Sequence, residues 1–191
     1  MTDITSDSVA ARRMSRPTAA QSTVNGATRG PQEGASPCDL VACVELLFFA
    51  YRDFTGGPDA VLEEYGFGRA HHRVLHFVHR NPGLRVADLL DILKITKQSL
   101  ARVLKQLIDK GFIMQRAGND DRRERRLFVT AKGGRLAEKL SAQQIQHIEA
   151  ALAKAGPGAA EFARRFLFAM ITESDRPRVE ALVKLASGTR T

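Results

Sequence analysis

Cysteine is scarce in this chain of 191 residues: Cys38 and Cys43 are the two present, and they lie close together. Two neighbouring thiols cannot build a disulfide framework, and reduced, cytoplasmic conditions fit the chain. No apolar run approaches the ~18 residues of a membrane span. The early Arg12-Arg13 pair is followed by no apolar stretch, which excludes a secretory signal. Catalytic patterns are missing too. There is no phosphate-binding glycine loop, no metallohydrolase pattern and no nucleophile–base pair in a recognisable context. The sequence therefore reads as a non-enzyme that calls for no cofactor. Large apolar side chains are almost absent from residues 1–36, which are rich in Ser, Thr, Ala, Gly and Gln. Such a segment cannot bury enough surface to offset chain entropy, so it reads as a disordered tail.

What the chain has instead is localised positive charge. Its formal net charge is +8. Residues 68–130 hold 14 Lys+Arg against 6 Asp+Glu, a local excess of +8, whereas residues 1–67 sum to −4 and residues 131–191 to +4. A localised basic excess attracts a polyanion more specifically than a spread one.

Hydrophobic spacing places the elements. Leu40, Val41, Val44, Leu47, Phe48 and Tyr51 recur at helical spacing, with Asp39 a plausible N-cap and a stop predicted before Gly56-Gly57-Pro58. Asp59–Tyr65 is a further turn or two. A helix over Arg69–Arg80 carries Val74, Leu75 and Val78 inward and stops at Asn81-Pro82-Gly83. Leu84-Arg85-Val86 is a short extended piece, and Ala87–Leu93 is a helix with Leu89, Leu90 and Leu93 buried. Thr96 caps a helix over Lys97–Lys110, and Gly111 stands where a left-handed residue is wanted. Ala131–Ala155 reads as one long helix, broken by Gly156-Pro157-Gly158. Shorter helices follow over Ala159–Ile171 and roughly Arg178–Ala186. These terminal helices carry more apolar surface than the basic unit alone could cover, a pattern that suits pairing with a second copy.

The centre of interest is Phe112–Thr130. Two strand-like runs flank a polar tip with four arginines within five residues, Arg122, Arg123, Arg125 and Arg126. A two-stranded tongue tipped with arginine suits a minor groove or phosphate wall. It directly follows a helix-turn-helix pattern. The second helix of such a unit enters the major groove. There Leu100, Val103, Leu104, Leu107 and Ile108 define the inward stripe, and Lys97, Gln98, Ser99, Arg102, Lys105 and Gln106 lie outside or flank it. These side chains reach base edges and phosphates; a good bidentate base contact contributes roughly 1–3 kcal/mol of discrimination. The plainer alternative is an ordinary solvated helix face. Asp121 is read as the carboxylate that holds a wing arginine in place.

This stretch resembles the MarR family of bacterial transcription regulators. The family's wing pattern D-x-R-x-x-x-L-x-L-T-x-x-G is met by D-R-R-E-R-R-L-F-V-T-A-K-G from Asp121 to Gly133, with Val129 replacing the usual leucine. Gln115 is a second departure, where the family often has arginine. The runs L-L-F-F-A-Y-R-D-F and G-F-G-R-A-H-H-R-V-L-H-F-V further resemble PetP-like members. The resemblance implies a mainly α fold with a small β-wing: a winged helix-turn-helix with N- and C-terminal dimerisation helices. In that division residues 37–67 form a dimerisation helix and connector, residues 68–133 the DNA-binding domain and residues 134–188 further dimerisation helices. It implies a homodimer on a pseudo-palindromic double-stranded DNA operator, modulated by a small ligand or redox signal. Carried over by position, Arg123 is the minor-groove arginine and Asp121 its partner, with Arg122 and Arg125 beside them.

Three candidate sensors remain. His72, His76 and His79 share one helical face, predicted to be centred away from Val74, Leu75 and Val78. Histidines at i, i+4 can bind a transition metal or titrate near neutral pH; otherwise they are surface or interface residues. Cys43 is either a redox-sensing thiol or a small buried residue, the latter being the better reading because no local run marks it as reactive. Phe48, Phe49, Tyr51, Phe54, Tyr65 and Phe67 are core residues or line an effector pocket.

Overall fold

The computed structural model describes residues 36–118 and 124–187. Seven helices and three short strands follow in order: α1 (Pro37–Glu63), α2 (Arg69–Arg80), β1 (Leu84–Arg85), α3 (Val86–Leu93), α4 (Lys97–Asp109), β2 (Ile113–Ala117), β3 (Arg125–Val129), α5 (Ala131–Ala155), α6 (Ala159–Ala169) and α7 (Arg176–Ser187). The fold is mainly helical, with one antiparallel sheet in the order β1-β3-β2. The tongue gains a third strand, because Leu84 pairs with Leu127 and Arg85 with Arg126. Across the tongue itself Gln115 faces Leu127 and Ala117 faces Arg125.

Helix α1 differs from the sequence expectation at both ends. Its N-cap is Ser36, not Asp39. Ser36 Oγ accepts from the Asp39 backbone N at 3.2 Å while Asp39 Oδ2 accepts from the Ser36 backbone N at 3.2 Å, a reciprocal capping box followed by Pro37 at the first helical position. At the other end the helix runs straight through Gly56-Gly57-Pro58 to Glu63. Tertiary packing overrides the local breakers there. Pro58 is buried, as are Val61 and Leu62 beyond it. Gly57 lets α5 approach, since a Cβ there would meet Gln143 Oε1 at 3.3 Å. Thr55 Oγ1 donates to the carbonyl oxygens of Tyr51 and Arg52, binding the chain into the helix just before the breakers.

The core sits in the basic unit, termed here the head. Leu62, Val74, Leu75, Leu89, Leu107 and Leu140 are fully enclosed, so α1, α2, α3, α4 and α5 all contribute to it. Leu90 is half-buried, short of the full burial its spacing predicts, because it borders a groove against α4. Gly133, in the first turn of α5, packs so tightly on the Phe112 carbonyl that no Cβ would fit.

The N-terminal half of α1, the C-terminal half of α5, and α6 and α7 form an arm. Here apolar side chains face outward: Phe48 is 70% and Phe162 64% exposed, with Leu40, Val41, Val44, Phe49, Leu167 and Met170 also exposed. Among the described residues Phe48, Phe49 and Tyr51 are therefore exposed and not core, whereas Phe67 is buried and Tyr65 packs edge-on against Phe112. Cys43, expected to be buried, is exposed on this same half of α1, as is Cys38, because nothing among the described residues covers that half. Arm and head meet through two ion pairs, Arg178–Asp91 and Lys94–Asp175, each at 3.1 Å. No helix among the described residues is long and apolar enough to cross a membrane.

Candidate nucleic-acid interface

Helix α4 is fixed at both ends. Thr96 Oγ1 accepts from the Ser99 backbone N at 3.1 Å and donates to Ser99 Oγ at 2.9 Å. Gly111 follows the helix with φ +73°, the left-handed conformation its position called for. Leu100, Val103, Leu104 and Leu107 are buried, which turns Lys97, Gln98, Arg102 and Lys105 to solvent. The side chains of Lys97, Gln98 and Arg102 make no hydrogen bond or ion pair among the described residues. Lys105 is held by Asp109 at 2.7 Å, an exposed pair of little strength that a phosphate could replace. Ser99 is engaged by its cap.

Gln106 behaves differently from its neighbours. Its Oε1 lies 2.5 Å from His71 Nε2, while His71 Nδ1 accepts from the Gly68 backbone N at 3.1 Å. An N–H already points at Nδ1, so the hydrogen of the ring sits on Nε2 and is donated to Gln106. The His71 ring stacks on Phe67 with centroids 4.6 Å apart. Gln106 thus links α4 to α2.

The wing stem adds charge beside this helix. Arg125 is the first residue of β3, exposed and on the stem, not at the tip as its place in the arginine run suggests. With Lys97, Lys105 and Gln115 it rims a groove of about 610 Å³ floored by Leu90 and Leu104. Arg126 is also on the strand, and its Nη2 donates to Glu124 Oε2 at 3.2 Å. On the outer face Arg116 lies over the Phe128 ring at 5.2 Å. Asp121, Arg122 and Arg123 lie outside the described residues.

Glu124 is the residue that the sequence reading passed over. It stands between the two arginine pairs and accepts from both Arg126 and Arg85, the latter at 3.3 Å. Arg85 in turn makes a two-pronged contact with Asp88 at 2.7 and 2.8 Å. These bonds raise the Arg85 pKa further above its ordinary value and hold the Asp88 carboxyl below its own. The acid inside R-R-E-R-R was the available signal.

The histidines divide. His72 is buried, not turned away from the core, because it shares the inner side of α2 with His71. Burial lowers its pKa, with Asp59 acting in the opposite direction. His76 is half-buried and lowered by burial first, then by His72, Arg80 and His79. His79 approaches Glu138 at 3.9 Å. Among the described residues no group of three or more His, Cys, Asp or Glu is arranged to hold a metal ion. The lowered pKa values place the charging of His72 and His76 on the acid side of the usual range.

Residues 65–124 match the family model described as the MarR family. The HTH-type transcriptional regulator PetP of Rhodobacter capsulatus is 46% identical over 139 residues, which span 73% of this chain and 84% of that protein. The chain belongs to the MarR family. It is accordingly a transcription regulator of winged helix-turn-helix fold rather than an enzyme. A MarR transcriptional regulator from Methanosarcina mazei shares the fold, with a TM-score of 0.58 and 25% identity over 70% of this chain and 94% of its own. So does a MarR-family regulator from Listeria monocytogenes complexed with 26mer DNA, with a TM-score of 0.59 and 18% identity over 78% of this chain and 96% of its own.

Proposed function

We propose that this MarR-family chain binds a pseudo-palindromic double-stranded DNA operator as a homodimer in the cytoplasm. The observation that carries the reading is the outward row of α4. A capped, core-anchored helix holds Lys97, Gln98 and Arg102 clear of any partner among the described residues, with Arg125 alongside on the wing stem. Arginine and glutamine supply bidentate base contacts, and lysine supplies phosphate contacts. The Listeria relative, of the same fold and complexed with DNA, supports the same partner. By the family resemblance Arg123 is then the minor-groove arginine and Asp121 its partner.

The second copy is supported by the arm. Leu40, Val44, Phe48, Phe162, Leu167 and Met170 are exposed on α1 and along α6 to its C-cap, with no cover among the described residues. An apolar surface of this extent marks an association site. Residues 37–67 and 134–188 then serve chiefly association and residues 68–133 recognition. A small ligand or redox signal acts by favouring one separation of the two heads, which requires unequal affinity for the two states. The rival reading, a winged helix that binds protein, needs an apolar or acidic recognition face; α4 presents a basic one.

The test is selection of genomic DNA fragments by the purified protein in about 150 mM salt, where nonspecific binding is weakened. An enriched inverted repeat is expected. Uniform binding that vanishes as salt rises would leave only an electrostatic nucleic-acid binder.

A further inference from the structure

The stem of the wing contains an electrostatic conflict. Strand β1 is two residues long, and it is the link between the wing's central strand and the start of α3. In that pair Arg85 stands directly opposite Arg126. Like charges directly opposed across an antiparallel pair destabilise it. Arg126 is also half-buried, and its Nε takes no hydrogen-bond partner among the described residues. Left alone, this pairing would push the wing stem away from the head.

Glu124 resolves the conflict. Its carboxylate accepts from Arg85 Nη1 at 3.3 Å through Oε1 and from Arg126 Nη2 at 3.2 Å through Oε2, one oxygen for each guanidinium. Arg85 is fixed from its other side by both oxygens of Asp88, in the first turn of α3. The series Arg126–Glu124–Arg85–Asp88 therefore runs unbroken from the wing to the helix that precedes recognition. Among the described residues no other acid serves both arginines. A carboxylate here also subtracts charge from a surface proposed to meet phosphate, which a binder selected for affinity alone would avoid.

We propose that Glu124, acting through Arg85 and Arg126, is a positioning residue that sets the wing against the helix-turn-helix and trades raw DNA affinity for sequence discrimination. This role rests on the DNA-binding function proposed above. Glu124 touches no base. It keeps two arginines on each other's carboxylate bridge instead of on the phosphate backbone. It also fixes the angle at which the wing reaches the groove next to the one that α4 enters.

The experiment compares binding of the selected fragment with binding of a scrambled duplex of equal length, across a salt series, for the full chain and for Glu124→Gln. The substitution frees Arg126, leaves Arg85 held by Asp88 alone, and removes one negative charge. Scrambled-duplex affinity should rise severalfold. The slope of log K against log salt should steepen by about one, because each phosphate newly neutralised contributes ~0.9. The ratio of selected to scrambled affinity should fall about tenfold, a misplaced wing contact being of the size of one mismatched base pair. Arg85→Gln provides the second arm. It removes the head-side partner and a positive charge together, so the ratio should fall similarly with no steepening of the slope. The double variant should be no less selective than either single one, since both break the same bridge. Unchanged melting temperature and unchanged oligomeric state accompany the expected result. If Glu124→Gln raises affinity equally on both duplexes, or changes neither, the positioning role is overturned, and the carboxylate merely dilutes charge. Retention of the full ratio by Arg85→Gln overturns it as well. A wild-type chain that discriminates no sequence sinks the DNA-binding function itself, and the positioning role with it.

Discussion

Head and arm are built from the same amino acids and treat them in opposite ways. In the head, Leu, Val and Phe side chains from five helices and two strands are enclosed within a single chain. In the arm, equally large side chains on α1, α5, α6 and α7 stand in solvent. The periodicity that marks a helix face as apolar does not say which chain will cover it. A head core is satisfied by its own sequence, whereas the arm face is left for the second copy proposed above. Stability of the head should therefore be independent of protein concentration, and integrity of the arm should depend on it.

The largest expected effect tests the head. Gly133→Ala would place a Cβ 2.0 Å from the Phe112 carbonyl oxygen, a clash with backbone that no rotamer relieves. A loss of about 3 kcal/mol is expected in urea denaturation, at the upper end for overpacking. A loss below about 1 kcal/mol would mean that the contact between α5 and the start of the wing is slack. Next comes the arm. Phe166 is exposed and stacks with Phe162 at 6.2 Å on α6. Phe166→Glu should weaken self-association roughly 30-fold or more, the scale of a lost interface anchor of about 2 kcal/mol. Sedimentation across a concentration series would show it, and an unchanged dimer would move the interface elsewhere. Thr130→Ala is smaller. Thr130 caps α5 by accepting from Gly133 N at 3.1 Å and donates to the Gly111 carbonyl at 2.7 Å. A loss of about 1–2 kcal/mol is expected at any protein concentration.

The smallest effect is a pH dependence confined to the head. The folded-state pKa values of His72 and His76 lie below the ordinary 6.5. The unfolded chain then binds more protons than the folded one as pH falls. Stability is full above pH 6.5 and declines as pH drops through the ordinary value toward the lowered ones. Melting temperature should fall across that window, and less steeply in His76→Gln. Equal slopes in the two proteins would assign the decline to other groups.

Much of this architecture was legible because its signals are local. Thr96, Gly111, Thr130 and Gly156-Pro157-Gly158 bound α4 and α5 where capping and breaking residues say they should. The inward stripe of α4 follows from spacing alone. Misreadings arose where distant packing decides. Gly57 and Pro58 look like a stop until α5 is laid against them. Cys43 looks like a core residue until its half of α1 is seen to have no cover among the described residues. The link between Gln106 and His71 spans 35 positions and that between Arg85 and Glu124 spans 39, so no window of sequence contains either. The outward residues of α4 could be named in advance, but not the residues that aim them.

One consequence of the uninterrupted α1 is mechanical. Its 27 residues make a rod of about 40 Å at ~1.5 Å per residue. The bare apolar stretch sits at one end, and Val61 and Leu62 are sunk in the head at the other. A rod anchored in this way turns angle into distance: a tilt of about 5° at the bare end displaces the far end by roughly 3 Å. Half-sites on DNA repeat every ~34 Å, and a recognition helix tolerates little error in that spacing. A helix stopped at Gly56 would absorb the tilt in a hinge; one that continues through Pro58 delivers it.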